Sequence, residues 1–189
     1  AKKHKLKLGK IDDLIAYRLN RENLIKYKKS SIIKIKKKEY KIKIFENLLD
    51  GSENFALIKG KIKKNNNPRV RVISSNIIKN YLMGENLPNS FKKTIDHFKK
   101  YKDCVLIFIR DTNLKSVSET LKSYKSKRYY KKGEDKLIRN YGIGAQIIKT
   151  LNIKKMILVT RSKKKVIGLD GYGIKITRQE IIKWKKRFV

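Results

Sequence analysis

Side chains able to do chemistry are few in this chain. Cys104 is the only cysteine, and His4 and His97 are the only histidines. One cysteine excludes an internal disulfide framework. Two glycine-punctuated stretches stand out, Arg139-Asn140-Tyr141-Gly142-Ile143-Gly144-Ala145-Gln146 and Gly168-Leu169-Asp170-Gly171-Tyr172-Gly173. Glycines at such spacing allow tight helix–strand packing whatever the chemistry. A third group runs from Lys122 to Lys132, where Lys122, Lys125, Lys127, Arg128, Lys131 and Lys132 interleave with Tyr124, Tyr129 and Tyr130. Tyrosine faces beside cations suit single-stranded nucleic acid, through base stacking and phosphate contact; packing of an aromatic helix into a core is the competing reading.

The charge balance is extreme: 51 Lys and Arg against 16 Asp and Glu, a formal +35 over 189 residues. AT-rich codons inflate lysine, and only ten of the basic residues are arginine. The same codon bias does not explain scarce Asp and Glu. A surface this positive attracts polyanions such as RNA through non-specific electrostatics, so codon bias and selection for polyanion binding both stand. A hydrophobic fraction of 40% suits a folded domain and not disorder. No apolar run approaches the roughly 20 residues of a membrane-spanning helix, so no membrane association is expected. The basic start Ala1-Lys2-Lys3-His4-Lys5 leads into no apolar signal core. A reducing cytoplasm is the expected location.

These groups must be held by elements that the patterning outlines. After Gly9, Ile11, Leu14, Ile15, Leu19 and Leu24 keep helical spacing within residues 1–29. From Ile32 to Glu46 apolar residues alternate with lysines, which predicts a hairpin with one polar face. Strands are expected at Phe55–Ile62 and Arg69–Ile73, and a helix capped by Asn89 or Ser90 running to Lys100. Cys104–Ile109 is a continuous apolar run, the pattern of a strand buried on both faces. Helix Tyr141–Leu151, strands Met156–Thr160 and Val166–Leu169, and a final helix from Gln179 to Phe188 complete the reading. The mixture predicts one α/β or α+β domain, a mixed sheet with flanking helices.

Several of these stretches together resemble GTP cyclohydrolase II, the zinc enzyme that opens the guanine ring at the start of riboflavin synthesis. The two glycine stretches carry the resemblance, with Ala56-Leu57-Ile58-Lys59-Gly60, Arg71-Val72-Ile73-Ser74 and Met156-Ile157-Leu158-Val159-Thr160. Residues 4–18 are similar instead to the end of dihydroxybutanone phosphate synthase, where bacteria fuse it to a cyclohydrolase domain. The resemblance thus implies a linker or helix at 1–29 and a GTP cyclohydrolase II-like domain at 30–189. Arg139 matches the arginine of the family's covalent nucleotidyl step, and Arg71, Arg110, Thr160 and Lys165 match nucleotide-binding positions.

The departures are equally specific. The family's zinc is held by three cysteines, which supply thiolates and leave the fourth position for a reactive water. The matching positions here are Asn76 and the stretch Leu87–Ser90, so no metal is expected, neither zinc nor the family's magnesium. The Gly-rich phosphate cradle is replaced by Asp111-Thr112-Asn113-Leu114-Lys115-Ser116-Val117, and the family's aspartate before Arg139 by Leu137, which cannot move a proton. Three readings follow. The first is a catalytically inactive domain serving dihydroxybutanone phosphate synthase as structural or regulatory partner, fused or associated, often as a homodimer. The second is an RNA- or ribosome-associated basic protein recruited from this fold. The third is an active cyclohydrolase with an atypical metal site.

Overall fold

The computed structural model describes residues 4, 9, 17, 21–35, 37–63, 66–74, 87–110, 134–163, 166 and 169–182. At its centre lies strand β5 (Cys104–Ile109), the expected apolar run. It pairs antiparallel with β3 (Glu53–Lys59), from Phe55↔Phe108 to Lys59↔Cys104, and parallel with β4 (Arg69–Ser74), from Arg69↔Cys104 to Ser74↔Ile109. On the β3 side the sheet continues as an antiparallel hairpin of β2 (Lys38–Asn47) and β1 (Ile25–Ile35). On the β4 side it continues in parallel through β6 (Lys155–Thr160) and β7 (Lys175–Ile181). The seven-stranded mixed sheet has the order β1-β2-β3-β5-β4-β6-β7.

Two helices cover opposite faces. Helix α1 (Leu87–Phe98) joins β4 to β5, and α2 (Glu134–Thr150) joins β5 to β6. Side chains alternate across a strand, so Cys104 and Leu106 meet Ile95 and Phe98 of α1, with Tyr40, Leu57, Ile73 and Val159. Val105, Ile107 and Ile109 meet Ile143, Ala145, Ile147 and Ile148 of α2, with Phe45, Ala56, Ile58 and Val70. A strand covered on both sides needs apolar residues at every position, which is why β5 shows no alternation. Burial of each such side chain contributes about 1.5–3 kcal/mol.

Polar contacts lock the end of the sheet from which β4 and β5 start. Lys59 Nζ donates to the carbonyls of Phe98 and Tyr101, satisfying acceptors that α1 leaves open at its C-terminus. Arg69 grips Glu180 with two hydrogen bonds of 2.9 Å, from Nε and Nη2, and its guanidinium lies 3.3 Å from the Tyr101 ring centroid. His97 Nε2 is 3.3 Å from Glu180 Oε2, and Arg178 donates to Oε1. One carboxylate therefore ties β4, α1 and β7 together. Burial alone would raise the Glu180 carboxyl, but hydrogen bonds from Arg69, Arg178 and His97 hold it below its ordinary 4.5.

The structure departs from the sequence expectations at several elements. Residues 25–29 are strand and not helix, because β1 pairs with β2 along its whole length, with a bulge between Tyr27 and Lys29. Helix α2 begins at Glu134, earlier than Tyr141. Val166 and Leu169 lie outside any strand, and Asp170–Tyr172 forms a 3₁₀ turn. The segment read as a helix from Gln179 is, up to Ile181, the end of β7; pairing with β6 overrides its local pattern. Residues 183–189 and 111–133, with the tyrosine-lysine stretch, lie outside the described residues.

Gly60 ends β3 at φ 80°, a left-handed conformation. A Cβ there would meet the Lys102 carbonyl oxygen at 2.5 Å as well as the Asp103 carboxylate. Backbone cannot swing away as a side chain can, so Gly60→Ala is expected to cost about 1–3 kcal/mol and to lower the melting temperature measured by circular dichroism. Glu180, with its depressed folded value, stabilises the fold fully above about pH 4.5, and that contribution is lost as pH falls through the folded value. Thermal melts from pH 7 to pH 3 should show the wild type losing stability in that window. Glu180→Gln should start lower at pH 7 and fall less steeply.

Candidate nucleotide site

Strands β4, β5, β6 and β7 run in parallel, so their C-terminal ends share one edge of the sheet. The connections through α1 and α2 leave on opposite faces, and in such sheets ligands bind in the crevice outside the strand ends. Arg110 follows the last residue of β5 and is exposed, its backbone N–H donating to Asn54 Oδ1 at 3.0 Å. Thr160 ends β6, buried, with no hydrogen-bond partner for its hydroxyl among the described residues. Arg139 lies in the N-terminal part of α2, the end nearer this edge, because a helix joining two parallel strands runs back against them. The Arg139 side chain, like all of Lys165 and Asn76, lies outside the described residues.

Arg71 sits deeper, in mid-β4, and is buried. It shares the α1 side of the sheet with Ile73 and Leu106, and its Nη2 reaches the hydroxyl of Ser90 at 3.5 Å. Burial, and then the charge of Arg161, lower its guanidinium to about 10, so it stays a cation at neutral pH. Arg71 is thus desolvated in mid-strand, while Arg161, just past β6, is exposed and near enough for its charge to act on Arg71. Alternation puts Thr160 on the other side of the sheet, with Met156 and Leu158. Thus Arg71 and Arg161 are drawn together from two strands, and Arg110 and Thr160 share their edge without being shown to share one pocket.

The donor set does not fit zinc. Ser90, within the stretch where the resemblance sets thiolates, turns its hydroxyl to Arg71. The sole cysteine, Cys104, is fully buried in β5, and burial pushes its thiol up to about 11. Among the described residues no group of three or more His, Cys, Asp or Glu side chains is placed to hold a metal. His97 is engaged with Glu180. Leu137 leaves its position without a titratable group.

Two features of this region escaped the sequence reading. Gln146, part of the glycine stretch, is buried. It accepts from the Leu24 N–H at 2.8 Å and donates to the Glu22 carbonyl at 2.7 Å, fixing the chain before β1 rather than touching a ligand. The Arg69–Glu180–His97 cluster joins residues far apart in sequence that nothing in the local pattern connects. Gly144 packs on Val72 and Ile109, where a Cβ would sit in ordinary contact at 3.5 Å, so space alone does not demand glycine.

Comparison with known proteins agrees with this architecture. A family model described as GTP cyclohydrolase II matches residues 26–180. Riboflavin biosynthesis protein RibBA of Aquifex aeolicus is 29% identical over 97% of this chain and 48% of its own length. The monofunctional riboflavin biosynthesis protein RIBA 2, chloroplastic, of Arabidopsis thaliana is 30% identical over 94% of this chain and 38% of its own. A 3,4-dihydroxy-2-butanone 4-phosphate synthase of Neisseria meningitidis is 28% identical over 93% and 48%. The chain therefore spans about half the length or less of these curated relatives. The crystal structure of RibBX, a two-domain 3,4-dihydroxy-2-butanone 4-phosphate synthase from A. baumannii, superimposes with a TM-score of 0.65 at 22% identity, over 96% of this chain and 48% of that one. It shares the fold. Matched across most of its length, the chain belongs to the GTP cyclohydrolase II family.

Proposed function

We propose that this chain is a GTP cyclohydrolase II-like domain of riboflavin synthesis that no longer opens GTP. It serves dihydroxybutanone phosphate synthase as a structural or regulatory partner, fused or associated, and assembles as a homodimer in the cytoplasm. One observation carries the loss of catalysis: the only cysteine is committed to the core of β5, so no thiolate remains for the family's metal. Leu137 removes a proton-transferring side chain independently. The partner reading is supported by the similarity of residues 4–18 to the end of the synthase. It is supported further by the Neisseria relative and the A. baumannii neighbour, both named as synthases although each has a half similar to this chain. The residues before β1, up to Leu24, are then the linker from that domain. On this reading Arg71, Arg110, Thr160, Arg139 and Lys165, the positions that resemble the family's nucleotide contacts, hold a nucleotide without turnover.

Zinc content and formate release from GTP, measured on one purified sample with magnesium added, test the first part. The expected result is neither zinc nor formate. About one zinc per chain together with formate would establish instead an active cyclohydrolase with an atypical site. For the second part, the synthase should be assayed with and without this domain, and its oligomeric state followed by light scattering. Loss of the domain is expected to lower synthase activity or dissociate its dimer; unchanged values in both would sink the partner reading.

A further inference from the structure

We propose a second activity, independent of the synthase partnership: the bare face of the β1–β2 ribbon binds single-stranded nucleic acid. Residues directly opposed in an antiparallel pair share a face. The register Tyr27↔Phe45, Ser30↔Lys43, Ile32↔Lys41 and Lys34↔Glu39 therefore sets these side chains on one side of the ribbon. The opposite side is anchored: Ile33, Ile35, Tyr40 and Ile42 pack into the cluster that contains Ile95 and Phe98 of α1. On the bare side Phe45 and Ile25 join the core near α2, and past Phe45 the strip opens to solvent. Strand β2 pairs with β3 from Lys41 to Glu46, so the ribbon's outer part reaches beyond the rest of the sheet.

The exposed strip carries two kinds of contact in alternation. Tyr27 is 46% exposed and Ile32 67%, about 13 Å apart along the ladder at about 3.3 Å per residue. Between them lie Lys43, with Nζ 5.7 Å from the Tyr27 ring centroid, exposed Lys41, and the Ser30 hydroxyl. Exposed Lys34 extends the same face, opposite Glu39. Its acids are offset: Glu39 pairs with Lys34 and Glu46 with Lys28. Lysines along an edge strand also guard against edge-to-edge pairing, but that role does not call for an exposed tyrosine and isoleucine on the face. Apolar faces for bases, interleaved with cations for phosphates on a rigid open sheet surface, are what single-stranded nucleic acid requires.

Fluorescence anisotropy of the full chain with labelled 12-mers of oligouridylate and oligothymidylate, across a salt series, tests this. Tyr27→Leu with Ile32→Ser leaves the net charge unchanged and is expected to weaken oligonucleotide binding at least tenfold while leaving heparin binding within twofold. Ile32→Ser alone, at a fully solvated position, keeps the test valid if the pair perturbs the packing of Tyr27 on Phe45. Lys41→Gln with Lys43→Gln should lower the salt slope by about 1.4, at about 0.7 per single-strand contact. The charge-matched control Lys155→Gln with Lys175→Gln, both exposed, on β6 and β7 across the sheet from the ribbon, should change affinity less than twofold. The proposal falls if the two lysine pairs weaken binding equally, or if the apolar variant binds oligonucleotides like wild type. It falls equally if anionic vesicles or an acidic peptide bind at 150 mM salt while the oligonucleotides do not. A preference between the uridylate and thymidylate probes would assign RNA or DNA as the physiological strand.

Discussion

Burial of β5 on both faces is the constraint on which the remaining structure hangs. A strand hydrogen-bonded to neighbours on both edges and covered above and below has no polar outlet, so each of its residues must be apolar and each side of the sheet must carry a helix. That forces the chain after β4 to cross one face as α1, and the chain after β5 to cross the other as α2. The crossovers in turn bring the ends of four parallel strands to a single edge. The hairpin β1–β2, paired on the far side of β3, is left free of this requirement. It keeps one bare face, on which Tyr27 and Ile32 stand among lysines.

The second organising term is electrostatic. With far fewer carboxylates than cations, the acids that remain are shared. Glu180 receives hydrogen bonds from Arg69, Arg178 and His97, and Asp103 receives the Asn66 amide at 2.9 Å and the Lys61 N–H at 3.2 Å. Glu180 lies near the end of β7 and Asp103 just before β5. A part-buried carboxylate with several donors is worth more than an exposed pair, because fewer water contacts compete for it. The edge at the ends of the parallel strands holds exposed Arg161, whose charge acts on the buried Arg71 of β4.

Fold lineage and chemistry separate in this molecule. The sheet, the crossover helices and the match over residues 26–180 place the chain in its family, whereas its one cysteine is buried in β5. Fold alone does not carry function. A core cysteine with a raised pKa is inert, and a serine turned toward a guanidinium is a positioning group.

Much of this was legible in the residues. The unbroken apolar run 104–109 announced a doubly covered strand, and alternation from Ile32 to Glu46 announced the hairpin, because side-chain period and burial are coupled locally. The count of one cysteine settled the thiol question before any coordinates, since composition limits ligand number absolutely. Other features depend on partners distant in sequence. Gln179–Ile181 reads as helix by spacing yet is strand, because β6 offers unpaired backbone beside it. Gln146 belongs to a glycine motif, but its task became visible once Leu24 and Glu22 lay against it. His97 and Glu180 have no local signal linking them, and Arg71 became a site residue through burial and the approach of Arg161. The sequence by itself determined which elements could form and which chemistry was excluded, because those follow from local periodicity and residue type. The tertiary structure alone decided which charges meet, which cations lose their water and which face of the hairpin stays bare, because those depend on contacts that the chain makes only by folding.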